Sequence, residues 1–214
     1  MSNVRIGFSP TFTAGMYYGT GIVMNTFSLD IQMMTKSTNH INQNIALERA
    51  KYIIYEQFSD SIILGKDDED QRQRFEDAGF RVILMPEECV DQILCLAVFT
   101  KIEAVVEDQM DIIDISLRST FGGGVSYLHG EEESVGPFEA SGWWNQNTPV
   151  CSKTKVTKKK VVTLDNPTWK AIDLDWNDAN EQEETIIEVK LEKKTEKVDT
   201  SSENVVEFKP NDKK

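Results

Sequence analysis

Residues 23–33 read Val-Met-Asn-Thr-Phe-Ser-Leu-Asp-Ile-Gln-Met. Val23, Phe27, Leu29, Ile31 and Met33 hold the odd positions, with Asn25 the one polar exception. Met24, Thr26, Ser28, Asp30 and Gln32 fill the even ones. A period of two sends successive side chains to opposite faces, so this stretch predicts a strand with one buried and one mostly wet side.

Upstream, Val4, Ile6 and Phe8 alternate over a shorter span and predict a first strand. The intervening Ser9–Gly21, rich in glycine and hydroxyls, reads as a loop.

Downstream, Ser37, Thr38 and Asn39 offer an N-cap. Ile41, Ile45, Ala46, Ala50, Ile53, Ile54 and Phe58 then recur at helical spacing. Ser61–Leu64 reads as a short buried strand. Asp67–Ala78 reads as a charged surface helix closed by Gly79, and Phe80–Met85 as another strand. Pro86-Glu87-Glu88 predicts the opening of a second long helix that runs to about Asp108. Ile113, Ile115 and Leu117 alternate as a strand, Gly122–Gly124 turns the chain, and Val125–His129 returns antiparallel. The expected fold is α+β, a mixed sheet packed by two long helices plus one short surface helix. A doubly wound α/β fold is the alternative.

Charge divides the chain. Residues 1–150 carry 22 Asp+Glu and 10 Lys+Arg, whereas residues 151–214 carry 14 and 13. The expected organisation is a globular acidic domain over 1–150, a Lys-rich linker with a docking segment over 151–176, and a disordered arm over 177–214. The docking segment is inferred from Trp169 and Trp176, the linker from Lys153–Lys160. Net negative charge disfavours nucleic acid, because basic side chains supply most of the attraction to phosphate, and it favours encounter with a basic protein surface. Cys89, Cys95 and Cys151 are odd in number and lack metal-ligand spacing. No apolar run is long enough for a bilayer, so a cytoplasmic location without membrane contact is expected.

No nucleophile, cofactor or metal fingerprint stands in the sequence, and no cofactor is expected. The nearest approach to an acid–base or ligand constellation is His40 and Glu48 on the first helix with His129 and Glu131 at a strand end. Tyr17, Tyr18, Gly19, Thr20 and Gly21 could cradle a ligand through backbone amides, and Trp143 and Trp144 could form an exposed recognition patch. Capping, solvation and core packing account for the same residues.

Two functions follow. One is a non-catalytic interaction or regulatory protein whose acidic domain binds a basic surface. The other is a small enzyme or ligand-binding domain for a nucleotide or phosphorylated metabolite, with a His/Glu site. In size and composition the chain resembles the small accessory proteins of large tailed phages, which implies a target inside an infected cell.

Overall fold

The computed structural model describes residues 4–151 and 167–177. The lysine run Lys153–Lys160 and the arm from residue 178 onward lie outside the described residues. Seven strands form one mixed sheet: β1 Arg5–Phe8, β2 Thr11–Tyr17, β3 Ile22–Thr35, β4 Ser61–Leu64, β5 Arg81–Leu84, β6 Met110–Ser119 and β7 Ser126–Gly130. Their order is β5-β4-β2-β3-β6-β7, and β1 pairs with the second half of β3. Only β2/β4 and β4/β5 are parallel, so the fold is α+β and not doubly wound.

Strand β3 is the spine. Its first half pairs with β2, its second half with β1, and its other edge with β6. Strand β2 corrects the expected Ser9–Gly21 loop. Phe12, Ala14 and Met16 face the core while Thr11 and Thr13 face outward, the same alternation as in β3. Phe12 stacks on Phe27 across the pair, ring centroids 5.1 Å apart.

Helix α1 spans His40–Tyr52, capped by Asn39, whose Oδ1 accepts from the N–H groups of Ile41 and Asn42 at 3.0 and 3.3 Å. A π-helical turn, Ile53–Phe58, follows it. The expected surface helix is split into a 3₁₀ turn, Lys66–Gln71, and α2, Arg72–Asp77. It ends in a Schellman closure. Gly79, at φ +89°, donates to Glu76 O, and Phe80 N donates to Phe75 O.

Helix α3 spans Asp91–Val106 and therefore starts later than Pro86. The carbonyl of Glu87 accepts from Lys66 N, and the Cys89 thiol donates to Ile63 O, so residues 86–90 are tied to the end of β4. Those ties forbid the helical course that the sequence alone suggests.

Helices α1 and α3 cover one face, over Phe27, Leu29, Ile31, Met33, Ile63, Ile83, Ile115 and Leu117. The opposite pleat of β4 and β5 carries Ile62, Leu64 and Val82, covered by Phe75 of α2 with Tyr17 and Leu84. Each fully buried large apolar side chain contributes about 1.5–3 kcal/mol. The α1/α3 face, with many more of them, therefore dominates stability. Among the described residues no helix lies over the rest of the opposite face, on β3, β6 and β7.

Residues 167–177 pack on α1. Arg49, on the buried side of that helix, donates from Nε to Leu174 O at 2.8 Å. Its guanidinium carbon lies 4.6 Å from the Trp169 ring centroid and 3.5 Å from that of Trp176.

Candidate functional site

The ionisable residues singled out from sequence each make contacts of their own. His40 opens α1 at the surface and contacts Gln43 Oε1 through Nδ1 at 3.3 Å. Glu48 lies two turns on, about 12 Å along the axis, and pairs with Lys51 at 2.6 Å. His129 is on β7, facing α3, only 5 % exposed. Its ring meets Phe99 edge-on at 4.5 Å, and Nδ1 lies 3.4 Å from Glu133 Oε2. Burial pushes its pKa down, against a smaller upward pull from Glu133. Glu131 is exposed, and its backbone N–H prolongs the sheet by bonding Ile113 O. Among the described residues no group of three or more His, Cys, Asp or Glu is disposed to hold a metal. These four residues do not assemble a common centre in the hydrogen bonds and ion pairs they make.

The Tyr17–Gly21 stretch is a hairpin turn that satisfies itself. Tyr18 N donates to Gly21 O, Thr20 N to Tyr18 O, and the Tyr17 hydroxyl to Gly19 O. Tyr17 and Tyr18 line a recess of about 190 Å³ together with Asp67, Asp68 and Glu88. Those carboxylates repel a phosphate, so the loop does not form the anion cradle that its composition suggests.

The tryptophan pair corrects the expectation of an exposed patch. Gly136–Glu139 and Trp143–Asn145 are 3₁₀ turns folded onto the core, leaving Trp143 6 % and Trp144 9 % exposed. The Trp143 indole N–H donates to Leu84 O at 2.9 Å, on the outer edge of β5. That of Trp144 is shared between Phe138 O and Ala140 O, both at 2.9 Å. Trp143 also sits edge-on to Phe58, at 6.2 Å. Beneath this segment Lys101 of α3, fully buried, donates to Trp143 O at 3.1 Å and Gln146 O at 2.8 Å. Burial pushes the Lys101 pKa down to about 8.

What the indoles expose is the wall of a cleft. It encloses about 400 Å³, within the range of about 300–1,000 Å³ usual for small-molecule sites. Leu84, Met85, Pro86, Gly142, Trp143 and Trp144 give it apolar surface. Lys66, Glu69, Arg72 and Ser141 supply its polar groups. Arg72 is steadied by Glu76 at 2.7 Å, while the Lys66 ammonium has no partner among the described residues. Both indole N–H groups are already spent on carbonyls, so the pair offers ring surface and no donor. The sequence marked only the two tryptophans. Arg72 comes from a stretch that reads as an ordinary charged helix and Lys66 immediately precedes it, and no spacing links either to residues 141–144.

The cysteines are free and buried, and burial pushes each thiol up to about 12. Cys89 is therefore no nucleophile despite lying beside the start of α3.

No protein-family model matches the chain, and no curated protein matches it in sequence. Among solved structures it is similar to 6-pyruvoyltetrahydropterin synthase from Plasmodium vivax, with a TM-score of 0.40 and 7 % identity over 60 % of this chain and 98 % of that one. It is similar to the Plasmodium falciparum 6-pyruvoyl tetrahydropterin synthase at a TM-score of 0.38 and 8 % identity, over 60 % and 98 %. An uncharacterized protein from Wolinella succinogenes gives 0.43 and 9 %, over 62 % and 100 %. At these scores the likeness carries nothing about this chain's residues or substrate. Among the described residues no helix is long and apolar enough to cross a membrane.

Proposed function

We propose that this chain is a small-molecule-binding domain whose ligand, a nucleotide or similar phosphorylated metabolite with a flat ring, occupies the tryptophan-walled cleft. The observation that carries the reading is the meeting of Lys66 and Arg72 with two indoles in one cavity, on a protein of net charge −13. A cation with no side-chain partner among the described residues suits a phosphate, an aromatic wall suits a base or other planar ring, and Glu69 can accept a ring N–H. His129 and its partner Glu133 do not line the cleft, and the imidazole is buried against Phe99, which supports binding as the core of the activity. Nothing in the described residues selects a basic protein partner.

Intrinsic tryptophan fluorescence tests the reading directly. Titration with nucleoside 5′-monophosphates should give a saturable change. Lys66→Ala should weaken it about tenfold or more, the loss expected for a charge-assisted contact, while affinity for the uncharged nucleosides stays unchanged. Absence of any saturable change, or equal nucleotide affinity in the variant, overturns it.

A further inference from the structure

The face of the sheet opposite α1 and α3 holds a second, differently built site. Strand register places Ser28 opposite Arg118 and Asp30 opposite Ser116 across β3 and β6. The four side chains form a square with the two charges at diagonal corners and the two hydroxyls at the others. A diagonal of this kind spans about 7–8 Å.

The charges are held outward. Arg118 Nε donates to Ser126 Oγ at 3.0 Å, on the β7 side. Asp30 Oδ1 accepts from Ser9 Oγ at 3.0 Å, on the β1 side, and from Gln32 Nε2 at 3.4 Å. Arg118 and Asp30 make no ion pair with each other or with any described residue. Ser28 and Ser116 make no side-chain hydrogen bond among the described residues. The square sits in an open trough of about 280 Å³. Beside Ser116, on the same face, stands Leu128, at 77 % exposure the most solvent-exposed of the large apolar side chains described.

We infer that this trough binds a free α-amino acid with an apolar side chain. The guanidinium donates its remaining N–H groups to the α-carboxylate, Asp30 accepts from the α-ammonium, and Ser28 and Ser116 bond the same two groups from between. The ligand's side chain lies along Leu128, whose exposure is otherwise unfavourable. A single-charge ligand satisfies only one corner, so a zwitterion is selected over a simple anion or amine. The site is separate from the tryptophan cleft and does not depend on its occupant.

Isothermal titration of the full chain with leucine, phenylalanine, glycine and glutamate, and with acetate and ethylamine, decides the matter. Leucine or phenylalanine should bind at least about tenfold more tightly than acetate or ethylamine. Asp30→Asn and Arg118→Gln should each cost about tenfold or more, and Leu128→Ser should erase the preference over glycine. Lys66→Ala should leave this binding unchanged, which separates it from the cleft. The paired Ser28→Ala/Ser116→Ala variant, which removes no charge, should also weaken binding and serves if a charge variant melts early. The inference is overturned if neither apolar amino acid binds, or if Asp30→Asn binds it as wild type does, which would mark Arg118 as a bare anion contact.

Discussion

The Arg49 guanidinium lies 3.5 Å from the ring centroid of Trp176, while Trp169 stands 4.6 Å away. Its nitrogens also reach Leu174 O, Val105 O, Asn147 Oδ1 and Glu107 Oε1. One cation thereby joins α1, the end of α3, the loop around Asn147 and the segment 167–177. Burial lowers its pKa to about 10, with Glu107 and Asp175 pulling back upward, so it stays charged at neutral pH.

Arg49→Met should therefore cost about 3 kcal/mol, because it removes a desolvated cation–π contact and strands several carbonyl acceptors. Arg49→Lys should recover only part of this, since an ammonium cannot stack flat on an indole and carries three donors against the five of the planar guanidinium fork. Urea unfolding followed by tryptophan fluorescence checks both. An unchanged midpoint for Arg49→Met would mean that the segment is not held by this residue.

Gly142 supplies a second test, directed at the cleft. A Cβ at this position would lie 2.3 Å from Trp144 Cζ2, and the indole is fixed by its bonds to Phe138 O and Ala140 O. Gly142→Ala should cost about 1–3 kcal/mol, as overpacking does. It should also weaken the binding of uncharged nucleosides, which Lys66→Ala leaves unchanged. Thermal unfolding together with the fluorescence titration reads both effects, and a variant with wild-type values in each would show that the wall is soft.

The strands that the sequence announces best are those with uninterrupted alternation or a short apolar run, β3 and β4. Strand β2 has the same alternation, but its outward positions hold Thr11, Thr13 and Gly15, residues that equally signal a turn. Helix α3 begins where long-range bonds from Lys66 N and to Ile63 O release the chain, and neither bond has a local signature. The cleft was half legible. Two adjacent tryptophans announce a special segment, but the cations that face them are set by the placement of the β4–α2 turn beside residues 141–144. Sequence periodicity carries no term for that placement.

His129 gives the acid limb of stability. The unfolded chain binds a proton at the ordinary imidazole value of 6.5, while the folded ring, against Phe99 and with Nε2 buried and without a partner among the described residues, resists it. Below pH 6.5 the unfolded state thus holds more protons, and stability falls as the pH drops toward the lowered folded value. His129→Leu removes the effect, so the stability of the variant relative to wild type should rise between pH 7 and pH 5. Denaturant midpoints at the two pH values measure this, and a constant difference would mean that the folded imidazole titrates normally.

Lys101 governs the alkaline side in the opposite sense to the thiols. The three cysteines titrate from 9.0 in the unfolded chain and near 12 when folded, so above pH 9 the folded state retains protons that the unfolded state has lost, and stability declines. Lys101 releases its proton at about 8 when folded and at 10.5 when unfolded. Between those values the unfolded state binds the extra proton, and this residue's contribution rises with pH by up to about 3 kcal/mol. Wild type and Lys101→Met share Cys89 and Cys95, whose alkaline loss cancels in the comparison, while Cys151 loses the downward pull of Lys101 in the variant and so weakens it further in the same direction. The stability of wild type minus that of Lys101→Met should therefore climb from pH 7.5 to pH 10 even as both proteins weaken. Urea titrations across that interval test it, and a flat difference would show that the ammonium keeps its proton beneath Trp143 and Gln146.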